Sequence, residues 1–255
     1  MKAASKCRGR NPNSYCQVLF DEFGAPDPDV PDVHLLLARM PFQSYVTTAF
    51  DPLMAKALSF LGKAPVIYRP PSFPIRELRR GILCHIHGKV DRDRRPEPDE
   101  LILGFEDFAK EYDESNGTLR SFLVQLFEYE TCCFVGCGFG EPELQEIFKV
   151  CRNIRERFVM RDREIEAQKL YALSPFYWRT SIAGAGSASD SVGEPQPQHD
   201  FERERDEDQR FGELGITVVR YDAKDEKHSG LKEFLSQFTD LPTPQFRTLP
   251  PERLS

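Results

Sequence analysis

The chain of 255 residues is long enough for one sizeable α/β domain with a buried core and some padding around it. Its 40% hydrophobic and 29% charged residues describe a globular protein, and a formal charge of −7 argues against nucleic acid as the main partner. No apolar run approaches the roughly 20 residues that cross a bilayer, residues 1–13 lack the apolar centre of a secretory signal, and seven cysteines fit neither a disulfide framework nor paired zinc hooks, so a reducing cytoplasm is the expected compartment.

In chain order, residues 1–31 read as a poorly structured segment with a short helix around 15–23. Apolar positions Val33, Leu36, Leu37 and Met40 predict a helix over 32–40, closed by Pro41. Residues 44–48 read as a strand, and 51–61 as a helix with Asp51 at its cap, proline in its first turn and Gly62 past its end. Strands follow at 65–68 and 81–87, then a charged, proline-bearing loop and a short strand at 101–103. Helices are predicted over 105–112, 119–129 and 142–158, the last with Leu144, Ile147, Phe148, Cys151 and Ile154 on one face. Strands at 169–174 and 216–222 and a helix at 229–238 complete the pattern. Residues 183–210 read as a disordered insertion and 240–255 as a proline-rich tail, which leaves 32–239 as the domain. Strand–helix alternation of this kind indicates a Rossmann-like, doubly wound, mostly parallel sheet with helices on both faces.

Ligands of an open parallel sheet bind where its strands end. Three ends carry polar or glycine-rich residues. The strand before Asp51 finishes at Thr47 and Thr48; the next places His87 at its end with Gly88 behind it; the third breaks at Gly136, Gly138 and Gly140 before a helix opening at Pro142. Glycines at a strand–helix turn let backbone N–H groups approach a phosphate, which the positive helix end also favours. Imidazole at His87 suits proton transfer near neutrality. His85 and His87 fall on the same side of a continuous strand, but no third ligand stands at a spacing that would complete a metal site.

Taken together and in order, Thr47-Thr-Ala-Phe-Asp51, His87-Gly88, the run Gly136 to Leu144, Tyr171 to Pro175, and Tyr221-Asp222 followed by His228 resemble the sirtuin-like NAD-consuming family, in particular its bacterial branch without a zinc module. The resemblance covers about residues 32–238. It implies NAD as substrate or ligand with no metal, and nicotinamide-releasing hydrolysis rather than lysine deacylation. It makes His87 the base toward a ribose hydroxyl, with Asp51 beside it or capping its helix. Thr47, Thr48, Gly136 and Gly138 would border the nucleotide's phosphate or ribose, and Tyr221 and Asp222 its adenine. Glu141, where the family has aspartate, is accounted for by capping the following helix.

Two departures bear on activity. The family opens with a strand and a Gly-Ala-Gly-x-Ser turn that nothing before Asp32 supplies; the similar letters at 183–189 lie in the insertion. Ala49 stands where the family carries an asparagine. An impaired NAD hydrolase, an inactive NAD- or ADP-ribose-binding regulatory module, and an N-terminally truncated form of an active protein therefore all remain readings of the sequence. In a doubly wound sheet the first strand is central, so its absence predicts open edges near Thr48 and Gly136 that invite association with a second copy or another chain.

Overall fold

The computed structural model describes residues 11–24, 29–74, 81–91, 93–113, 117–159, 169–180, 197–225 and 228–239. The elements run α1 (Pro12–Phe23), α2 (Asp32–Arg39), β1 (Ser44–Thr47), α3 (Leu53–Phe60), β2 (Val66–Tyr68), β3 (Ile82–His85), a 3-10 turn (Pro98–Glu100), α4 (Phe105–Glu111), α5 (Thr118–Tyr129), β4 (Cys132–Val135), α6 (Pro142–Val159), β5 (Leu170–Pro175), β6 (Trp178–Thr180), β7 (Pro197–His199), α7 (Phe201–Glu213), β8 (Ile216–Tyr221) and α8 (Ser229–Ser236). Two parallel three-stranded sheets form, ordered β2-β3-β1 and β4-β5-β8, while β6 and β7 pair antiparallel. No described helix is long and apolar enough to cross a membrane.

Helices lie on both faces because successive strand residues point to opposite sides. In β3, Ile82 and Cys84 join the core built on α5 and α6, whereas Leu83 joins Ala38, Met54, Ala57 and Leu58 of α2 and α3. The α5 residues Leu119, Phe122, Leu123 and Phe127 and the α6 residues Leu144, Ile147, Phe148 and Cys151 repeat at three- and four-residue spacing, so each helix presents one apolar stripe. Phe127 and Phe148 stack at 4.6 Å between ring centroids where the two helices meet. That same core reaches Leu170, Ala172 and Ile216, so one apolar interior serves both sheets.

Among the described residues β1 and β4 are each paired on one side only. These edges lie where the sequence led us to expect them. Thr47 accepts the Ile86 N–H and Cys132 donates to Lys169 O, so by strand alternation Ser44, Val46, Cys133 and Val135 turn their main-chain polar groups away from the existing partners. Cys133 is exposed on this edge.

Two expectations need correction. Residues 201–213 form a helix that begins within the stretch 183–210 read as a disordered insertion. That helix has few apolar residues and is held by polar contacts: Asp200 caps it through Arg203 N at 3.2 Å, and Glu207 accepts from Ser174 Oγ at 2.7 Å and Tyr177 OH at 3.0 Å. Helix α1, the short helix expected around 15–23, starts at Pro12 and buries Cys16 and Leu19 against Val90 and Leu101. Residues 101–103 make no strand; Ile102 N–H donates to His87 O, and Leu101 and Ile102 are buried without a ladder. The letters at 183–189 and the tail from 240 onward lie outside the described residues.

Candidate active site

The end of β3 builds the site's most buried polar groups. Strand pairing stops at His85, and the chain turns as Gly88 N–H donates to His85 O at 3.1 Å. Gly88 has φ of 107° and lies so close to the 3-10 turn that an added Cβ would sit 2.3 Å from Glu100 O, so glycine is required there on both counts. The turn separates the two histidines, which a continuous strand would have aimed alike. His85 points its Nδ1 at Ala49 O, 3.1 Å away in the loop after β1. His87 instead meets the Phe108 ring edge at 5.1 Å and places Nε2 3.8 Å from Glu141 Oε2.

The loop after β1 is tied down by its own polar residues. Thr47 Oγ1 accepts from Ala49 N at 3.0 Å, Asp51 Oδ1 accepts from Leu53 N at 2.9 Å, and Val90 N donates to Phe50 O at 2.8 Å. Asp51 therefore starts α3 with its carboxylate, although the helix itself begins at Leu53. Thr48 follows the last residue of β1 at the same tip.

Beyond β4 the chain runs through the glycines to α6. Gly136 takes φ of 67°. A Cβ at Gly136, Gly138 or Gly140 would meet nothing within 4 Å, so the turn is open on the side its glycines face. Phe139 anchors this turn: it is buried in a left-handed backbone conformation, packs on Phe134 and Phe211 at 5.0 Å each, and its carbonyl accepts from Gln145 Nε2 at 2.7 Å. That anchoring sets Glu141 opposite His87. Thus the tips of β1, β3 and β4 are brought together through the Ala49–His85 and His87–Glu141 contacts. Tyr221 ends β8 and Asp222 follows it at the same sheet edge, but their side-chain hydrogen bonds are local: Tyr221 OH lies 3.0 Å from His228 Nδ1, and Asp222 Oδ1 accepts from Lys224 N.

Burial sets the electrostatics of the crevice. His87 is 6% exposed, and desolvation pushes its pKa down to about 4, so the ring is neutral at physiological pH. His85 is lowered for the same reason. Glu141 is raised, first by burial and then by neighbouring Glu143. Among the described residues, His87 Nε2 and the Tyr112 hydroxyl are buried without a hydrogen-bond partner. Tyr112 stacks on Phe108, the ring that contacts His87. Buried polar groups are rarely left so. No group of three or more His, Cys, Asp or Glu that could hold a metal occurs among the described residues.

Glu141, Phe139 and Tyr112 are the site residues that sequence reasoning passed over. Glu141 carried a signal, since it lies one residue before the proline of the glycine turn, but its capping explanation stood in the way. In the structure its main-chain carbonyl accepts the Gln145 N–H of α6, and its carboxylate faces the histidine. Tyr112 and Phe139 come from packing between distant segments, which no local pattern announces. A groove lined by Asp32, Leu36, Arg39 and Lys232, between α2 and α8, shares no residue with this crevice.

Comparison with known proteins converges on the same stretch. Residues 43–177 match the family model described as SIR2-like domain, which takes in the tips of β1, β3 and β4 but not Tyr221 or Asp222. Over 143 residues, 55% of this chain, the sequence is 30% identical to the NAD(+) hydrolase ThsA of Bacillus cereus (strain MSX-D12), of which the match covers 29%. The NAD(+) hydrolases ThsA of Cytobacillus dafuensis and Enterococcus faecium are 28% and 25% identical, each over 53% of this chain and 26% and 28% of their own lengths. The chain therefore corresponds to less than a third of each of these relatives.

Proposed function

This chain belongs to the SIR2-like domain family, and from that premise we propose that it binds NAD in the crevice at the tips of β1, β3 and β4 and hydrolyses the bond between nicotinamide and ribose. The buried, unpartnered Nε2 of His87 carries the reading, because it is neutral, desolvated and aimed at the meeting point of the strand tips. His87 is the base that accepts the proton of a ribose hydroxyl. Thr48, Gly136 and Gly138 border the phosphate or ribose, and the open side of the glycine turn supports that placement. Thr47 and Asp51 hold the β1 loop through their turn hydrogen bonds. Tyr221 and Asp222 border the adenine at the far end of the second sheet.

Nicotinamide leaves as a neutral molecule from a cationic precursor, so little is asked of the protein beyond positioning the sugar and admitting water. No metal takes part in this scheme. We assign the domain to residues 32–239 and the protein to a reducing cytoplasm.

Ala49 favours a second reading, a binding or regulatory module without turnover. Its N–H and carbonyl are both engaged, with Thr47 and His85, and its methyl offers no polar group to orient water or ribose. One assay separates the two readings: pure protein is incubated with NAD and free nicotinamide is followed, with His87→Ala as control. Release that disappears in the variant supports hydrolysis. Absence of release together with calorimetric binding of NAD or ADP-ribose supports the module, and absence of both removes the crevice as a nucleotide site.

A further inference from the structure

We propose that Glu141 is a second catalytic residue, a carboxylate that shares one hydroxyl of the nicotinamide ribose with His87; this deepens the NAD-hydrolase reading and holds only if that reading does. Nothing in the sequence comparison assigns a role to this position. The geometry does. At 3.8 Å, Nε2 of His87 and Oε2 of Glu141 are too far apart for a hydrogen bond of their own. A single hydroxyl oxygen about 2.8 Å from each would bridge them. On one side of that position stands an imidazole nitrogen buried without a partner among the described residues. On the other stands a half-buried carboxylate whose turn is fixed by the Phe139 anchor and by Gln145, which bonds Phe139 O with its side chain and Glu141 O with its main-chain N–H. The start of α6 therefore does not need the Glu141 side chain.

The groups facing this carboxylate are Glu143 on α6, Tyr112 following α4, Cys137 in the glycine turn and His87 itself. Burial and then Glu143 raise the Glu141 pKa above the ordinary carboxylate range. In the reaction the C1′–N bond breaks with its electron pair remaining on nicotinamide, which leaves neutral, while positive charge develops at C1′. The shared hydroxyl passes its proton to His87 as that charge grows, and the Glu141 carboxylate, 3.8 Å from Nε2, stabilises the imidazolium that forms. Water then bonds its oxygen to C1′, one of its protons restores the hydroxyl, and the proton on His87 goes to solvent. The sum is NAD plus water giving nicotinamide, ADP-ribose and one proton.

The test is steady-state nicotinamide release across pH for the full chain and for Glu141→Gln, Glu141→Asp and Glu143→Gln, with thermal melting of each. Glu141→Gln is expected to lose about 10- to 100-fold in kcat with KM nearly unchanged. The acid limb of kcat/KM should move to lower pH. Glu141→Asp should recover part of the rate, and Glu143→Gln should keep kcat while moving the same limb down, because it removes the repelling charge. A structural role alone would lower the melting temperature and leave the pH profile in place. Glu141→Gln with wild-type kcat and an unmoved limb overturns the inference and leaves the hydrolase reading standing, whereas a wild-type protein inert toward NAD overturns both.

Discussion

His87 Nε2 and Glu141 Oε2 stand 3.8 Å apart, one at the tip of β3 in the first sheet and the other in the turn leaving β4 in the second. This pair is where the two halves of the fold meet at their functional end. It explains why neither residue is explicable within its own sheet: His87 has a buried nitrogen with no partner, and Glu141 a carboxylate that its own helix does not use.

Replacing the base should separate activity from folding. His87→Gln is expected to reduce nicotinamide release by about 100-fold or more, the usual worth of a positioned general base. The ring makes no hydrogen bond through Nε2, so melting of the variant should stay close to wild type at pH 7. Loss of rate with a large drop in melting temperature would instead mark His87 as structural.

Acid sensitivity follows from the buried histidines. The folded pKa of His87 is depressed to about 4 from an ordinary 6.5, so the unfolded chain binds a proton in that interval and the folded chain does not. Its contribution is therefore full above pH 6.5 and is lost as pH falls toward 4, amounting to about 3 kcal/mol. Burial lowers His34 and His85 too, which adds to the same trend, while the raised Glu141 acts in the opposite sense. Urea titrations from pH 7.5 to 4.5 should show stability falling with pH, and a shallower fall in His87→Gln.

Much of this was legible beforehand, and the reasons differ by element. Apolar periodicity located α2, α5, α6 and the parallel strands, because burial of one stripe is what orders them. Helix α7 was missed since its order comes from Glu204, Glu207 and Asp208 engaging Tyr177, Ser174 and Arg220, contacts between residues far apart in sequence. His87 was visible from its place at a strand end before glycine. The divergence of His85 from His87 was not, because it depends on a turn whose closure requires the Glu100 backbone to approach Gly88.

The glycines should respond differently to alanine. Gly88→Ala places a methyl 2.3 Å from a backbone oxygen in a left-handed conformation and should destabilise the fold by more than about 2 kcal/mol. Gly138→Ala adds a methyl to open space, so the melting temperature should hold while calorimetric affinity for NAD falls. Equal stability losses at both positions would contradict the assignment of the glycine turn to ligand approach.

The edges of β1 and β4 should behave as unpaired strands. Amide exchange at Val46, Cys133 and Val135 is expected to be faster than at Tyr45 and Phe134, whose main-chain groups face β3 and β5. Val46 is an exposed apolar residue on that edge, and Val46→Lys should reduce any concentration-dependent association seen by sedimentation.

The placement of the nucleotide is tested most directly by NMR of protein labelled in its histidine rings and titrated with ADP-ribose. The account predicts that the His87 resonances move to saturation, with His85 following and His199, in the separate β6-β7 pair beside Glu204, unchanged. A His87 signal that stays fixed at saturating ADP-ribose would contradict it.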